Sequence, residues 1–256
     1  MLTLLLASAA SPTAARTVEL AIVIDDVGYS LARAERVLAL PSPITLGVLP
    51  FTPEATAVAR MAAATGKEVI LHQPMEPLPT PSAQPMDGTL TLGMAPDRFN
   101  ATVEAAMAAI PGIVGVNNHT GSRLTQNPEA MRRFMTHLAR RQLFFLDSRT
   151  TADTVAYDVA REERVPALKR DVFLDHFRTP AAVAAEYERA LNIARRQGFA
   201  VVIAHPHDVS LSLLEERLAE LPPDVTLVGL SRLAREQNRR DAPAFSPLHQ
   251  AVLARP

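Results

Sequence analysis

Two adjacent carboxylates, Asp25 and Asp26, follow the apolar run ELAIVI and precede Gly28. Neither can relax into a core alone, because a buried unpaired charge needs a cation, a metal or a hydrogen-bond network. Neighbouring strand residues point to opposite sides, but a turn at a strand end can bring both to one mouth. One of the pair could then hold a metal while the other serves as a base; the competing role for either is to cap the helix that opens at Ser30. His72 ends a second apolar run and His119 a third, in Asn117-Asn118-His119. A lone histidine in such a place is usually structural. Here Asp26, His72 and His119 occupy equivalent positions at the ends of their runs. Oxygen and nitrogen ligands with positions left for water suit Zn²⁺, and also Co²⁺, Ni²⁺, Mn²⁺ or Fe²⁺. Such a metal lowers the pKa of bound water and polarises a carbonyl, the two requirements for hydrolysing an amide or ester.

His205, in VVIAHPHD, sits where a general acid would protonate a leaving group, which needs a pKa near neutrality. His207 and Asp208 read instead as caps of the next helix. Asp147-Ser148-Arg149 ends another apolar run, and Arg170-Asp171 and Asp175 flank the one after it. Asn118, Asp147, Arg149, Arg170 and Asp171 are the candidates to orient Asp25 or to bind a substrate oxygen. For the two arginines, a surface salt bridge is an equal alternative.

These residues gain meaning from the elements that must carry them. From Val18 onward, short β-branched runs alternate with segments of helical spacing. Runs at 19–25, 44–50, 67–73, 112–118, 143–147, 167–174, 199–205 and 225–230 read as strands. Helical patterns are expected at 30–40, 53–66, 97–110, 128–141, 152–163, 180–197 and 211–221, with Pro53 in a first turn and Gly66 and Gly198 as terminators. The stretch 74–94 carries five prolines and almost no periodicity, which makes it a long loop of the functional kind. Seven or eight βα units imply a parallel sheet closed into a barrel, with a doubly wound open sheet as the alternative. In a barrel the carboxyl ends of all strands open onto one face, so the reactive residues converge there. Residues 18–235 form this single domain and 236–256 a polar tail.

Composition narrows the function. The 256 residues carry 26 Lys and Arg against 27 Asp and Glu, with no basic stripe, so nucleic-acid binding has no electrostatic support. Cysteine is absent, which removes disulfides, thiolate ligands and cysteine nucleophiles. Residues 1–17 hold a short apolar run followed by small residues, resembling a secretory signal without its positive start. The expectation is export, to the periplasm or beyond. The run is too short for a stable membrane span.

IDDVG at 24–28, GKEVILHQPMEP at 66–77, VNNHTGS at 116–122, FLDSRT at 145–150, KRDVFLD at 169–175 and AHPH at 204–207 together resemble the divergent polysaccharide deacetylases. These are a remote branch of the carbohydrate esterases that act on chitin and peptidoglycan. The resemblance runs from about Val18 to Leu233. It implies an irregular seven-stranded (β/α) barrel and removal of acyl groups from a glycan or oligosaccharide. It also implies Asp25 as catalytic base, Asp26 and His72 as metal ligands and His205 as catalytic acid. The second histidine of the ordinary enzymes is replaced by Glu76, leaving His119 or Glu76 as third ligand, with His119 preferred for its place at a strand end. The usual arginine motif is absent, and Asp147-Ser148-Arg149 is its substitute. A non-catalytic glycan-binding or envelope-assembly protein on the same barrel is the competing reading. A phosphate-binding aldolase-type barrel is weaker, for lack of a glycine-rich phosphate loop.

Overall fold

A computed structural model describes residues 17–79 and 86–241. The leader-like segment up to Arg16, the heart of the proline-rich loop and the tail from 242 lie outside the described residues. The order of elements is β1 (Val18–Val27), α1 (Leu31–Ala39), β2 (Thr45–Val48), α2 (Ala55–Ala64), β3 (Glu68–Met75), α3 (Pro96–Ala109), β4 (Gly115–Thr120), α4 (Pro128–Arg140) and β5 (Phe144–Asp147). It continues with α5 (Ala156–Glu162), β6 (Ala167–Lys169), β7 (Val172–Phe173), α6 (Pro180–Gln197), β8 (Phe199–Ala204), α7 (Asp208–Ala219), β9 (Val225–Leu227) and α8 (Leu230–Asp241). The helix ends obey local chemistry. Ser30, Asn127 and Thr179 accept from backbone N–H groups of the first turns of α1, α4 and α6, and Gly198 takes the left-handed turn that stops α6.

All strand pairs are parallel, in the order β6-β5-β4-β3-β2-β1-β8-β7. The two ends of this path are halves of one run. β6 pairs with β5, β7 pairs with β8, and only Arg170 and Asp171 separate them, their N–H groups donating to Asp147 and Val201. The expected sixth strand is therefore broken in the middle, where its charged pair leaves one neighbour for the other. Counted as one stave, it closes a seven-membered ring, the irregular (β/α) barrel. β9 lies beside the first three residues of β1, on the edge that β2 takes further along.

Alternation along the strands divides the apolar residues into two layers. Leu20, Ile22 and Ile24 of β1 join the cluster shared with the helices, while Ala21 and Val23 join a smaller interior cluster. Val201 and Ile203 of β8, Ile70 of β3, Phe144 and Leu146 of β5, Leu168 of β6 and Val228 share that interior. Leu230, Leu233 and Ala234 of α8 belong to it as well, so this helix plugs the amino-terminal end of the ring. Ser231 anchors it by donating its backbone N–H and its hydroxyl to Glu68, at the start of β3. The last strand stops at Leu227 rather than running through Leu230, and in place of a loose tail from 236 the helix α8 runs on to Asp241. Among the described residues no helix is long and apolar enough to cross a membrane.

Candidate functional site

The carboxyl ends of the strands open onto one face, and β1 bends sharply there. At the end of β1 the register slips between Ile24 and Val27, and Asp26 takes φ +56°. That turn breaks the alternation. Asp25 keeps the inward direction of Ala21 and Val23, while Asp26 swings to the mouth. Asp25 is 1% exposed and seated against β2, where a Cβ on Gly47 would come within 1.9 Å of its Oδ1. Glycine at 47 is what gives the carboxylate its place.

Inward positions two residues apart on β4 supply Asn117 and His119, and β3 supplies His72. The Asn117 amide donates to both oxygens of Asp25, at 3.0 and 2.8 Å, and its carbonyl oxygen lies 2.8 Å from Nδ1 of His72. With the amide nitrogen committed to a carboxylate, that oxygen must accept, so His72 carries its proton on Nδ1 and turns the Nε2 lone pair outward. Nε2 of His72, Nδ1 of His119 and Oδ1 of Asp26 form a triangle with sides of 3.0, 3.0 and 3.2 Å. Oδ1 of Asp26 is buried and accepts no well-aligned hydrogen bond among the described residues. Three ligand atoms about 2.0–2.2 Å from a shared ion lie roughly 3.0–3.5 Å apart. The donor set, the spacing and the orphaned oxygen all fit a divalent metal.

Charge follows this geometry. Burial alone would lower the pKa of His72, but the Asp25 and Asp26 carboxylates outweigh it and push it up to about 9. Asp26 falls well below the ordinary carboxylate range, since the two imidazoles outweigh its burial. Asp25 goes the other way, raised by burial.

Across the mouth stands His205, at the end of β8. Its Nδ1 lies 2.8 Å from Oδ1 of Asp175, whose other oxygen accepts from the His205 backbone N–H and the Ser210 hydroxyl, each at 2.7 Å. Burial opposes a charged ring here, but Asp175 outweighs it and the His205 pKa rises. Nε2 of His205 faces Asp26 Oδ2 at 3.9 Å. Between the two histidine groups opens a cavity of about 250 Å³ lined by Asp26, Tyr29, Arg33, His119, His205 and His207, among others.

The structure thus brings Asp25, Asp26, His72, His119 and His205 together, with Asp25 deeper than the cavity wall. The remaining expected residues are engaged elsewhere. Glu76 accepts from Leu92 N–H and from Arg123, latching the long loop to the start of the 3-10 turn at Leu124–Gln126. Asn118 points outward, accepting from Ser148 N–H and donating to Thr120 C=O, so Asn117 stands where Asn118 was expected. Asp147 organises the turn after β5 by accepting from Arg149 N–H, Thr154 and Tyr157 N–H. Arg170 donates to the Ser148 and Arg149 carbonyls and fixes the same turn, and the Arg149 side chain is exposed. Asp171 braces β8 through Val201 N–H and the end of α6 through Gln197. Glu76, Asn118, Asp147, Arg170 and Asp171 thus brace the turns and elements around the site rather than touch its reactive atoms. His207 precedes α7 without a side-chain cap bond and stacks on His205 with ring centroids 5.8 Å apart.

Comparison with known proteins agrees with this fold. A family model described as divergent polysaccharide deacetylase matches residues 22–234. The uncharacterized protein YibQ of Escherichia coli K12 is 41% identical over 219 residues, 85% of this chain and 68% of its own length. An uncharacterized protein of Haemophilus influenzae Rd is 38% identical over 219 residues, 86% of this chain and 78% of its own. Among solved structures, an uncharacterized protein from Agrobacterium tumefaciens C58 superposes with a TM-score of 0.81 at 28% identity, covering 86% of this chain and 91% of that one.

Proposed function

The chain belongs to the divergent polysaccharide deacetylase family, and from that membership we propose that it is a metal-dependent hydrolase removing acyl groups, acetyl foremost, from a cell-envelope glycan after export to the periplasm. The observation that supports this most is the triangle of Asp26, His72 and His119, with an acid–base histidine facing it across a cavity. Asp26, His72 and His119 hold the metal, Zn²⁺ being the ion best matched to two imidazoles and a carboxylate. When bound, the ion lowers the pKa of water and draws charge from an acyl carbonyl.

The protein's own groups do the rest. Asn117 fixes the tautomer of His72, so that its lone pair is available at Nε2. Asp25 stands at the family's general-base position, where burial raises its pKa; below the cavity wall and with both oxygens on the Asn117 amide, it acts on the site by orienting His72 through that amide. His205 gives a proton from Nε2 to the departing amine or alkoxide, while Asp175 stabilises the imidazolium form before transfer. His207 and Tyr29 narrow the opening through which the acyl sugar enters.

Metal content of the purified protein, measured by mass spectrometry, tests this reading beside Asp26→Ala and His72→Ala variants. Near-stoichiometric transition metal in the wild type, lost in both variants, is expected, followed by acetate release from acetylated xylan or chito-oligosaccharides. A wild-type protein that stays metal-free after incubation with Zn²⁺ sinks the hydrolase. The chain is then a glycan-binding protein on this barrel, the reading favoured by Glu76 where the ordinary enzymes keep a histidine.

A further inference from the structure

Six large apolar side chains are exposed among the described residues: Tyr29, Leu31, Phe51, Leu78, Leu92 and Phe177. Every one lies on a segment that follows the carboxyl end of a strand, on the face that carries the site. Exposed apolar side chains scattered at random would divide between the two faces; concentration around a polar mouth marks a surface that something covers.

Their order around the ring is more informative still. Leu78 and Leu92 follow β3, Phe51 follows β2, Tyr29 and Leu31 follow β1, His205 follows β8 and Phe177 follows β7. In the sheet these strands are neighbours in the order β3-β2-β1-β8-β7. The apolar residues therefore lie along one arc, interrupted at β8 by the proton-transfer histidine, and β4, β5 and β6 contribute none. At about 4.8 Å per strand, the aromatic part from β2 to β7 spans roughly 14 Å.

The aromatic rings are seated by their surroundings. Phe51 packs over Gly88, where a Cβ would come within 2.6 Å of the ring. Tyr29 lines the cavity itself. Phe177 connects inward through His176 and Phe173 to His205, with successive ring centroids 4.6, 6.3 and 5.0 Å apart. Yet Tyr29 and Phe177 remain 61% and 69% exposed, so each offers a free ring surface. The cavity, at about 250 Å³, is smaller than the roughly 300–1,000 Å³ of pockets that enclose a drug-sized ligand. It suits one sugar ring, and any neighbouring sugar must lie outside it, on this arc.

We propose that Phe51, Tyr29 and Phe177 form a stacking platform for the sugars on either side of the one being deacylated. The substrate is then a chain of pyranoses lying along the β2–β7 arc, two rings of the platform on one side of His205 and one on the other. The axial C–H faces of pyranoses are apolar and flat enough to lie on an aromatic face, while their hydroxyls stay in water at the rim. This inference rests on the hydrolase reading.

The test uses the metal-loaded full-length protein with two probe ladders, acetylated xylo-oligosaccharides and chito-oligosaccharides of one to six sugars, with affinity measured by calorimetry. Affinity is expected to climb with length in at least one ladder. Phe51→Ala and Phe177→Ala should each flatten the climb, by about 2- to 10-fold at the longest members, without changing binding of the single sugar as much, whereas Tyr29→Ala, which also removes part of the cavity wall, should flatten the climb and weaken the single sugar as well. Metal content equal to that of wild type shows that a variant is folded. Affinity independent of length in both ladders, or a climb unchanged in all three variants, overturns the platform. Binding of the same face to vesicles of phosphatidylglycerol and phosphatidylcholine, lost in the same variants and without any gain from glycan length, also overturns it and assigns the arc to a lipid surface. Failure of the hydrolase reading looks different: wild-type protein without metal and without turnover of p-nitrophenyl acetate.

Discussion

On one side of the mouth Asp25 reaches His72 through the amide of Asn117; on the other, Asp175 holds His205 directly at 2.8 Å. Both arrangements fix a histidine by its Nδ1 and leave Nε2 facing the cavity side. The direct carboxylate favours a charged ring, and the raised pKa of His205 follows from it. The interposed amide instead accepts one N–H from His72 and passes the carboxylate's pull on at one remove. It fixes which nitrogen bears the lone pair without forming an ion pair with the ring. The positive charge favoured at His72 comes from having two carboxylates near it, Asp25 behind and Asp26 in front, and a dication between Asp26 and the two histidines would take the place of that proton. One aspartate–histidine pairing is thus suited to giving up a proton, the other to holding a metal.

Breaking the proton-transfer side should have the largest effect. His205→Gln is expected to lower acyl hydrolysis by about 10²–10⁴-fold while metal content stays at the wild-type level; loss of metal together with rate would show that the two sides are not separable. Breaking the other side should do the reverse. Asn117→Leu leaves His72 Nδ1 without its acceptor, and metal affinity should fall about 10- to 100-fold, read by competition with a chelator. Unchanged affinity would remove Asn117 from the account. A pH series sharpens the same contrast. With the His72 pKa pushed up to about 9, its proton must leave before a metal binds, so apparent affinity should rise about 10-fold per pH unit from 7 toward 9 and then level off. A flat response would mean that no such proton is displaced. The smallest effect is structural. Gly47→Ala puts a Cβ against Asp25 and should destabilise the fold by about 1–3 kcal/mol, measured by denaturant unfolding, with metal affinity reduced as the carboxylate shifts.

Much of this arrangement could be read from residue types. Apolar runs ending in Asp, His and Asn located the strands and the face, because parallel staves must end together. Asn117 was harder to tell from Asn118, although the period of two carries the answer: Asn117 lies two residues before His119 and shares its side, whereas Asn118 faces the turn after β5. Gly47 gave no signal by itself, since its reason is a carboxylate on another strand. Asp175 was visible as an acid beside a strand, but its pairing with His205 comes from β7 and β8 lying side by side, which the break at Arg170-Asp171 conceals. Helix α8 shows only Leu230, Leu233 and Ala234 as apolar, amid REQNRR. So few positions read as a polar tail until the open floor of a barrel is there to receive them.

Asp26 answers to its backbone as well as to its charge. Its backbone sits at φ +56°, a conformation that Gly, Asn and Asp tolerate and longer or branched residues resist. The chemistry of the position asks for a negative oxygen at the reach of a short side chain. Two independent requirements therefore intersect on a single amino acid. Glu meets the demand for charge but not the demand of the turn; Asn and Gly meet the turn but not the charge. Asp26→Asn consequently separates the turn from the charge with one atom exchanged, and an Asp→Asn change at this strand end in a related sequence would mark a barrel that has kept its shape without this candidate ligand.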